Sequence, residues 1–212
     1  ITAGAVNDGD WHHAAFTFDG SGNYALYLDG AVADTINSSA PNITTGSFNI
    51  GLSTSDTNPF DGEISEVRAW STARSATQIA DNYDVRIADP VNQAGLVANW
   101  TFDALNAAGQ ATDLAGNGND LQVLQGPPGN PDGAYATFDG NGDYIPLANP
   151  SSLSTGQGSF TIETWIKTDN TSADLKYISA IGTTTSGGVS QFFIEGTSGV
   201  LRAQFSVIGV SG

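Results

Sequence analysis

Short runs of alternating apolar and polar residues recur along nearly the whole chain, and Gly, Asn and Asp residues separate them. This period of two predicts β-strands, because successive side chains of a strand point to opposite faces of its sheet. The strands are expected at residues 13–18, 24–28, 47–52, 62–70, 96–102, 134–138, 144–147, 159–167, 177–181, 191–195 and 200–207. Many short strands joined by turns rather than helices predict an all-β sandwich of antiparallel sheets.

Clear turn and helix signals occupy only short segments of the chain. Asp29-Gly30 and residues 139–143, which read DGNGD, predict hairpin turns. Ser75 and Gln78 have the spacing of a capping box, and Ile79 continues with helical spacing. We therefore expect one short helix of about two turns on an otherwise all-β domain.

The composition describes an acidic globular chain of 212 residues, long enough for one large domain or two small ones. It has 22 Asp and Glu against 6 Lys and Arg, a net charge of -16, which disfavours nucleic acid and anionic lipid as partners but suits calcium. No apolar run approaches the roughly 18 residues of a membrane span, so we expect no membrane insertion. Absent Cys and Met, few Lys and abundant Gly, Thr and Asn are typical of a secreted or cell-surface protein, processed or cut from a longer chain.

Three motifs in the first part of the chain occur in a characteristic order and spacing. Residues 8–20 read DGDWHHAAFTFDG, residues 25–30 read ALYLDG, and residues 60–70 read FDGEISEVRAW. They resemble the laminin-G-like, concanavalin-A-like jelly-roll family, including the short helix that follows the last strand. The resemblance implies an antiparallel jelly-roll β-sandwich.

The second part of the chain resembles the strands that normally precede these motifs. They are LVANWTFD at 96–103, DLAGNGNDL at 113–121, ATFDGNGDYI at 136–145 and SFTIETWIK at 159–167. The resemblance thus makes residues 1–88 the C-terminal half of a jelly roll and residues 95–212 the N-terminal half, in permuted order. Residues 89–94 would be the linker between them.

Neither half could be stable alone, because each would expose an apolar face and unpaired strand edges. The sequence leaves three solutions open. The halves close on each other within one chain, neighbouring copies complete each other head to tail, or the chain is one register of a covalent tandem array. We favour the fibre or array over the closed monomer, with other copies of the chain as the expected partners.

A calcium site is the metal site that the sequence suggests. In the loop at 113–120, side-chain and carbonyl oxygens of Asp113, Gly116, Asn117 and Asn119 suit a hard cation. The family resemblance places this loop near the last strand, so Asp61 and Glu66 could join it as further ligands. The alternative is an Asx-rich turn whose side chains bond to its own backbone. The loop at 139–143 is a weaker second candidate.

The aromatic and imidazole side chains favour structural roles. His12 and His13 are adjacent on a predicted strand, so they point to opposite faces and cannot share one site. Trp70, Trp100 and Trp165 lie within strands with alternating neighbours, which favours packing in the core over stacking on sugars.

No catalytic residue is predicted. The related glycosidases carry a tight strand array of acids, roughly E-x-D-x-x-E, which supplies two carboxylates about 5–9 Å apart. Glu63 and Glu66 have a different spacing, and Glu163 and Glu195 stand alone in their segments. We therefore expect a protein that is not an enzyme.

Two function classes remain. The first is a non-catalytic extracellular structural or adhesive module, repeated in a secreted fibre or surface protein and assembled head to tail. The alternative is a calcium-dependent carbohydrate-binding lectin module with glycans as partners. A lectin would show an exposed patch of aromatic and Asx side chains, and the sequence does not place one; the loops at 53–58 and 183–188 are where we look for it.

Overall fold

The computed structural model describes residues 1–39, 47–53, 58–103, 105–122, 135–147, 153, 158–182, 187–195 and 198–208. These residues form strands and one α-helix, α1, at Ala76–Ala80. The strands are β1 (Thr2–Ala5), β2 (Trp11–Phe18), β3 (Asn23–Leu28), β4 (Ala31–Asn37), β5 (Ser47–Ile50), β6 (Asp61–Trp70), β7 (Leu96–Trp100), β8 (Gln110–Ala111), β9 (Leu121–Gln122), β10 (Ala136–Asp139), β11 (Ile145–Pro146), β12 (Phe160–Lys167), β13 (Lys176–Gly182), β14 (Gly187–Glu195) and β15 (Val200–Ile208).

In the described part of the chain, the strands form two large sheets and one two-stranded ribbon. One sheet has the order β1-β15-β14-β13-β5-β11, and the other has the order β10-β6-β12-β2-β3-β4, with β7 also paired to β6. The ribbon joins β8 and β9. All the described pairings are antiparallel, so the predicted antiparallel β-sandwich is confirmed.

The two segments of the chain share both sheets. β12, from the second segment, lies between β2 and β6, with Phe160 opposite Phe18 and Thr161 opposite Trp70. In the other sheet β5, from the first segment, lies between β13 and β11. Both large sheets therefore combine strands from the two segments of one chain. The assignment of the segments as permuted halves stays a prediction.

The beginning of the chain pairs with its last described strand. Thr2 lies opposite Arg202 in the β1–β15 ladder, and the amino group of Ile1 is 3.2 Å from the carbonyl oxygen of Ala203. The sequence analysis missed β1, because its residues, Thr-Ala-Gly-Ala, are too small to show an apolar alternation.

The expected linker at 89–94 is a local loop of the sandwich. It contains a single 3₁₀ turn at Pro90–Asn92. It leads from α1 and the residues after it (residues 75–88, the helix segment) into β7, which pairs with β6. The amide of Ser71 donates to the carbonyl of Gly95 at 2.8 Å, which joins the two ends of the segment 71–95 that contains both α1 and this loop.

The core between the sheets is aromatic and aliphatic. Its largest fully buried side chains include Phe16, Phe18, Phe48, Phe60, Phe138, Leu26, Ile50, Ile64 and Trp100. Each such side chain contributes about 1.5–3 kcal/mol when buried. Because these residues come from both segments, neither segment has a complete core of its own.

Local signals predicted some connections correctly and one wrongly. The capping box is present: the Ser75 hydroxyl accepts from the Gln78 amide at 3.2 Å, and the Gln78 side chain accepts from the Ser75 amide at 2.9 Å. Asp29-Gly30 joins β3 to β4 as a hairpin. The predicted hairpin at 139–143 is wrong, because β10 pairs with β6 and β11 pairs with β5 in the opposite sheet. That turn reverses the chain but carries it from one sheet to the other.

Gly51 provides a test of how tightly the sandwich is packed. Its φ is +85°, and a Cβ atom there would overlap the buried ring of Phe138. We expect Gly51→Ala to lower the free energy of unfolding by more than the roughly 1–2 kcal/mol of a left-handed alanine alone. Urea unfolding measures the loss. Gly109→Ala is the matched control, since Gly109 has φ +75° with open space around its Cβ position; equal losses in the two variants would contradict the packing.

Candidate functional site

The Asp113 loop is closed around one carboxylate. Asp113 is buried, and its Oδ1 accepts from the amides of Asn99 at 3.1 Å and Ala115 at 2.9 Å. Its Oδ2 accepts from the amides of Asn117 at 3.1 Å and Asn119 at 3.2 Å. A carboxylate has about four lone-pair positions, so four amides occupy all of them.

This geometry does not fit the calcium site predicted at the loop. The amide side chains of Asn117 and Asn119 are also engaged, both donating to the carbonyl of Val97, at 3.0 and 2.8 Å. Gly116 has φ +75° and supplies the turn. The alternative, an Asx-rich turn that bonds to its own backbone, describes the loop better. The backbone turn fits better because the loop amides converge on Asp113, and the residue types alone do not reveal this arrangement.

The two further ligands predicted from the first segment lie elsewhere. Asp61 lies opposite Asp139 in the β6–β10 ladder and accepts a hydrogen bond from the Asn170 side chain. Glu66 pairs with Arg68. Among the described residues, no group of three or more His, Asp or Glu side chains is arranged to hold a metal ion. The six predicted ligands therefore do not form one site.

The structure instead gathers charged and aromatic side chains around Glu163, which is 1% exposed. The indole of Trp70 donates to Glu163 Oε1 at 2.6 Å. The nearest guanidinium nitrogens of Arg68 and Arg74 each lie 3.9 Å from the same oxygen. His13 Nε2 lies 3.6 Å from Oε2, beyond ordinary hydrogen-bond distance. Sequence reasoning missed this cluster.

The electrostatics of the cluster favour the ionised form of Glu163. Burial by itself raises the pKa of the carboxyl, but interaction with His13 and the positive charges of Arg68 and Arg74 outweigh it. The net effect holds the pKa of Glu163 below its usual value. A buried carboxylate of this kind is a structural anchor, because its charge is compensated by groups that it also positions.

The cluster forms where three neighbouring strands meet beneath the helix segment. Glu163 of β12 lies opposite Ala15 of β2 and Arg68 of β6. The helix residue Ile79 packs against Ala15, on the sheet face away from the sandwich core. Tyr83, just after the helix, packs on the His13 ring at 5.8 Å between ring centres. The partners are far apart in sequence, which is why Glu163 looked isolated there.

Arg68 fastens the segment that follows the helix. It is 1% exposed, and its NH2 group donates to the carbonyl of Val85 at 2.7 Å while NH1 donates to that of Asn82 at 3.1 Å. Glu66 accepts from Arg68 Nε at 3.2 Å. One buried arginine thus joins β6 to the segment that covers the sheet.

An open pocket of about 430 Å³ lies beside this cluster, between the helix segment and the loop that leads to β7. Residues lining it include Arg68, Trp70, Arg74, Gln78, Arg86 and Gln93. The Arg74 guanidinium lies over the Trp70 ring, 4.1 Å from the ring centre. The pocket wall is therefore cationic and aromatic.

The two histidines occupy different environments, as predicted. His13 is buried beneath the helix segment, whereas His12 contacts two carboxylates near the start of β2. His12 Nδ1 is 2.9 Å from Asp29 and Nε2 is 3.1 Å from Asp8. Partial burial lowers the pKa of His12, but its hydrogen bonds to Asp29 and Asp8 raise the pKa by more. The net pKa of His12 therefore lies above the usual value.

Of the three tryptophans predicted to pack in the core, Trp70 and Trp100 are buried and Trp165 is half-buried, and only Trp100 lies in the central core. Trp100 is fully buried there, and its indole donates to the carbonyl of Asn119 at 2.8 Å. Trp70 and Trp165 lie under the helix segment instead; Trp165 donates to the carbonyl of Tyr83 at 3.0 Å. Strand alternation correctly predicted that Trp70 and Trp100 are buried. It could not predict which face of the sheet the segment after the helix would cover.

The architecture defines a β-sandwich of the concanavalin-A-like class. The laminin-G family model, described as the concanavalin A-like lectin/glucanases superfamily, matches residues 1–80. The laminin-G-like resemblance carried by the sequence motifs is thereby confirmed over this segment. A comparison with curated proteins finds none that matches.

Asp113→Asn tests whether the loop is held by its carboxylate. An amide keeps one acceptor oxygen, so two of the four backbone donors would face an NH₂ group, at a cost of about 3 kcal/mol in unfolding free energy. Thermal melting measures the change. Asp84→Asn, at an exposed position, controls for the loss of one negative charge.

The same melting experiment separates the loop from a calcium site. We expect equal melting temperatures for the wild-type protein in millimolar calcium and in chelator, because the Asp113 oxygens are already occupied. A bound ion at 100 times its dissociation constant would add about 2.7 kcal/mol. A calcium-dependent rise that Asp113→Asn removes would restore the metal site.

Glu163→Gln tests the buried anchor. Removing the negative charge leaves Arg74 without its carboxylate partner and Arg68 with Glu66 alone, so we expect a loss of roughly 3–5 kcal/mol. Because the folded-state pKa of Glu163 is lowered, its stabilisation is fully present above the unfolded pKa and is lost as pH falls through the lower folded-state pKa. Urea midpoints between pH 3 and 7 should therefore vary less in the variant. Glu63→Gln, in a surface pair with Lys167, should change little; equal effects in both variants would contradict the anchor role.

Proposed function

We propose that this domain is a non-catalytic structural or adhesive module of an extracellular protein. The observation that carries the proposal is the use of the deeply buried carboxylates. Glu163 is sealed among cationic and aromatic groups, and Asp113 holds a loop through backbone amides. Two-carboxylate hydrolysis needs a pair of acids facing one open groove, and these two acids are committed to holding the fold.

Location outside the cell is supported by family and composition. Laminin-G-like domains are commonly extracellular, and an acidic chain without cysteine suits a secreted module. In the described part of the chain, no helix is long and apolar enough to cross a membrane.

Repetition in a secreted fibre or surface protein is the finer form of the proposal. Head-to-tail exchange would place β12 of one copy between β2 and β6 of the next. It would only replace pairings that each chain already makes within itself. Since those strands already have their neighbours in their own chain, exchange would gain no burial. We therefore propose that copies are joined by covalent tandem linkage, with each sandwich closed on itself.

The alternative is a carbohydrate-binding lectin module. Its calcium-dependent form has weaker support, because the Asp113 oxygens are filled by amides. Of the loops considered for a sugar patch, residues 54–57 and 183–186 lie outside the described residues.

The size of the isolated chain tests the closed module. Light scattering after size-exclusion chromatography should give a mass near 21.8 kDa at all concentrations tested, because closure leaves no strand unpaired in the sheet interior. Incubation with neutral and acidic glycans should release no reducing ends.

Two results would overturn these expectations. A concentration-dependent ladder of oligomers would establish head-to-tail exchange. Release of reducing sugar at a rate unchanged by repeated purification would establish catalysis and remove the non-catalytic assignment.

A further inference from the structure

The pocket beside the helix segment has an unusual charge for this chain. Three of the 6 Lys and Arg residues, Arg68, Arg74 and Arg86, line it, whereas none of the described residues lining it is among the 22 Asp and Glu. In a chain of net charge -16, the pocket is thus a local concentration of positive groups. The guanidinium donors of such a wall are suited to a carboxylate or another anion.

Of the three arginines that line the pocket, Arg74 makes the fewest described hydrogen bonds with its side chain. Its side chain is 10% exposed, yet the described hydrogen bonds of its guanidinium comprise one, from NH2 to the carbonyl of Gln78 at 2.9 Å. Its buried Nε faces Glu163 Oε1 at 3.9 Å and has no hydrogen-bond partner among the described residues. A guanidinium has five N–H donors in a planar fork that matches a carboxylate. Because Nε is buried beside Glu163, the donors that Arg74 can offer a planar anion are those on its two terminal nitrogens.

Of the three arginines in the pocket, Arg74 has the least direct carboxylate partner among the described residues. Arg68 is paired with Glu66, and Arg86 is paired with Asp103 through two hydrogen bonds. Arg74 has only Glu163, 3.9 Å away, which also faces Arg68. Burial and, less strongly, the like charge of Arg68 lower the pKa of Arg74 despite the attraction of Glu163. An anion beside Arg74 would give it the directly hydrogen-bonded carboxylate that Arg68 and Arg86 already have.

Polar donors continue around the pocket. The Oε1 atom of Gln78 accepts from the Ser75 amide in the capping box, which leaves its NH₂ group as a donor. The Arg86 side chain is 55% exposed, so the part of its guanidinium not bound to Asp103 is accessible. Donors flanking a guanidinium suit a carboxylate that carries hydroxyl groups.

We propose that this pocket binds the carboxylate group of a small organic acid, with Arg74 as the principal contact and Gln78 and Arg86 as flanking donors. At about 430 Å³ the pocket lies within the range of small-molecule sites. The carboxylate can belong to a simple acid or to a sugar acid. The site would give the proposed module a ligand, and its absence would leave the non-catalytic module unaffected.

The test is an NMR titration of the ¹⁵N-labelled protein at constant ionic strength. The probes are sodium galacturonate, sodium acetate and neutral galactose. We expect saturable shifts near residues 74–95 with galacturonate, with a dissociation constant of about 1 mM, and none with galactose. Tighter binding of galacturonate than of acetate identifies a hydroxylated acid; equal binding identifies the carboxylate alone, and either supports the site.

Variants decide whether Arg74 is responsible. Arg74→Gln should weaken galacturonate binding at least tenfold, and Arg74→Lys, which keeps the charge without the fork, should weaken it less. Lys176→Gln removes a positive charge outside the pocket and should leave binding unchanged. If melting shows that Arg74→Gln is unfolded, Arg86→Gln at the exposed rim replaces it, with an expected threefold loss. Binding that survives these substitutions, or equal binding of galactose, would overturn the proposal.

Discussion

The position of β12 between β2 and β6 is the constraint on which the rest of the structure depends. Without it, both neighbouring strands would have an unpaired edge in the middle of the sheet, and the core would lose Phe160 and Ile166. The same strand carries Glu163 on its other face, where partners from β2 and β6 surround it. Sheet closure and the buried charged cluster are therefore two consequences of one insertion.

Placement of the positive charges follows from that insertion. A buried carboxylate at the centre of the sheet has to be balanced, and Arg68 and Arg74 approach it from β6 and from the turn before the helix. Arg68 also binds the backbone of the covering segment. The covering segment, the arginines and the pocket beside them thus form one unit. Within it Arg74 contacts the buried Glu163 on one side and lines the open pocket on the other.

The sequence predicted features that depend on near neighbours and missed those set by distant ones. The capping box at Ser75 and the hairpin at Asp29-Gly30 were correct, because each is decided within a few residues. The turn at 139–143 was misread, since only the sheet pairing of β10 and β11 decides where a turn leads. Glu163 looked isolated because its partners lie about 90 residues or more away along the chain. For Asp113, the residue types suited both an ion and a backbone turn, and the converging amides decided between them.

The long separation of the central strands also sets the order of events during synthesis. β2 and β6 are complete once Trp70 is made, but β12 begins only at Phe160, 90 residues later. At ribosomal rates of about 5–20 residues per second, the two early strands wait roughly 5–18 s for the strand that joins them. The last strand, β15, must then emerge before β1 can pair. Such non-local pairing folds slowly, so the nascent chain stays open long enough to be held by chaperones or passed through a translocation channel unfolded.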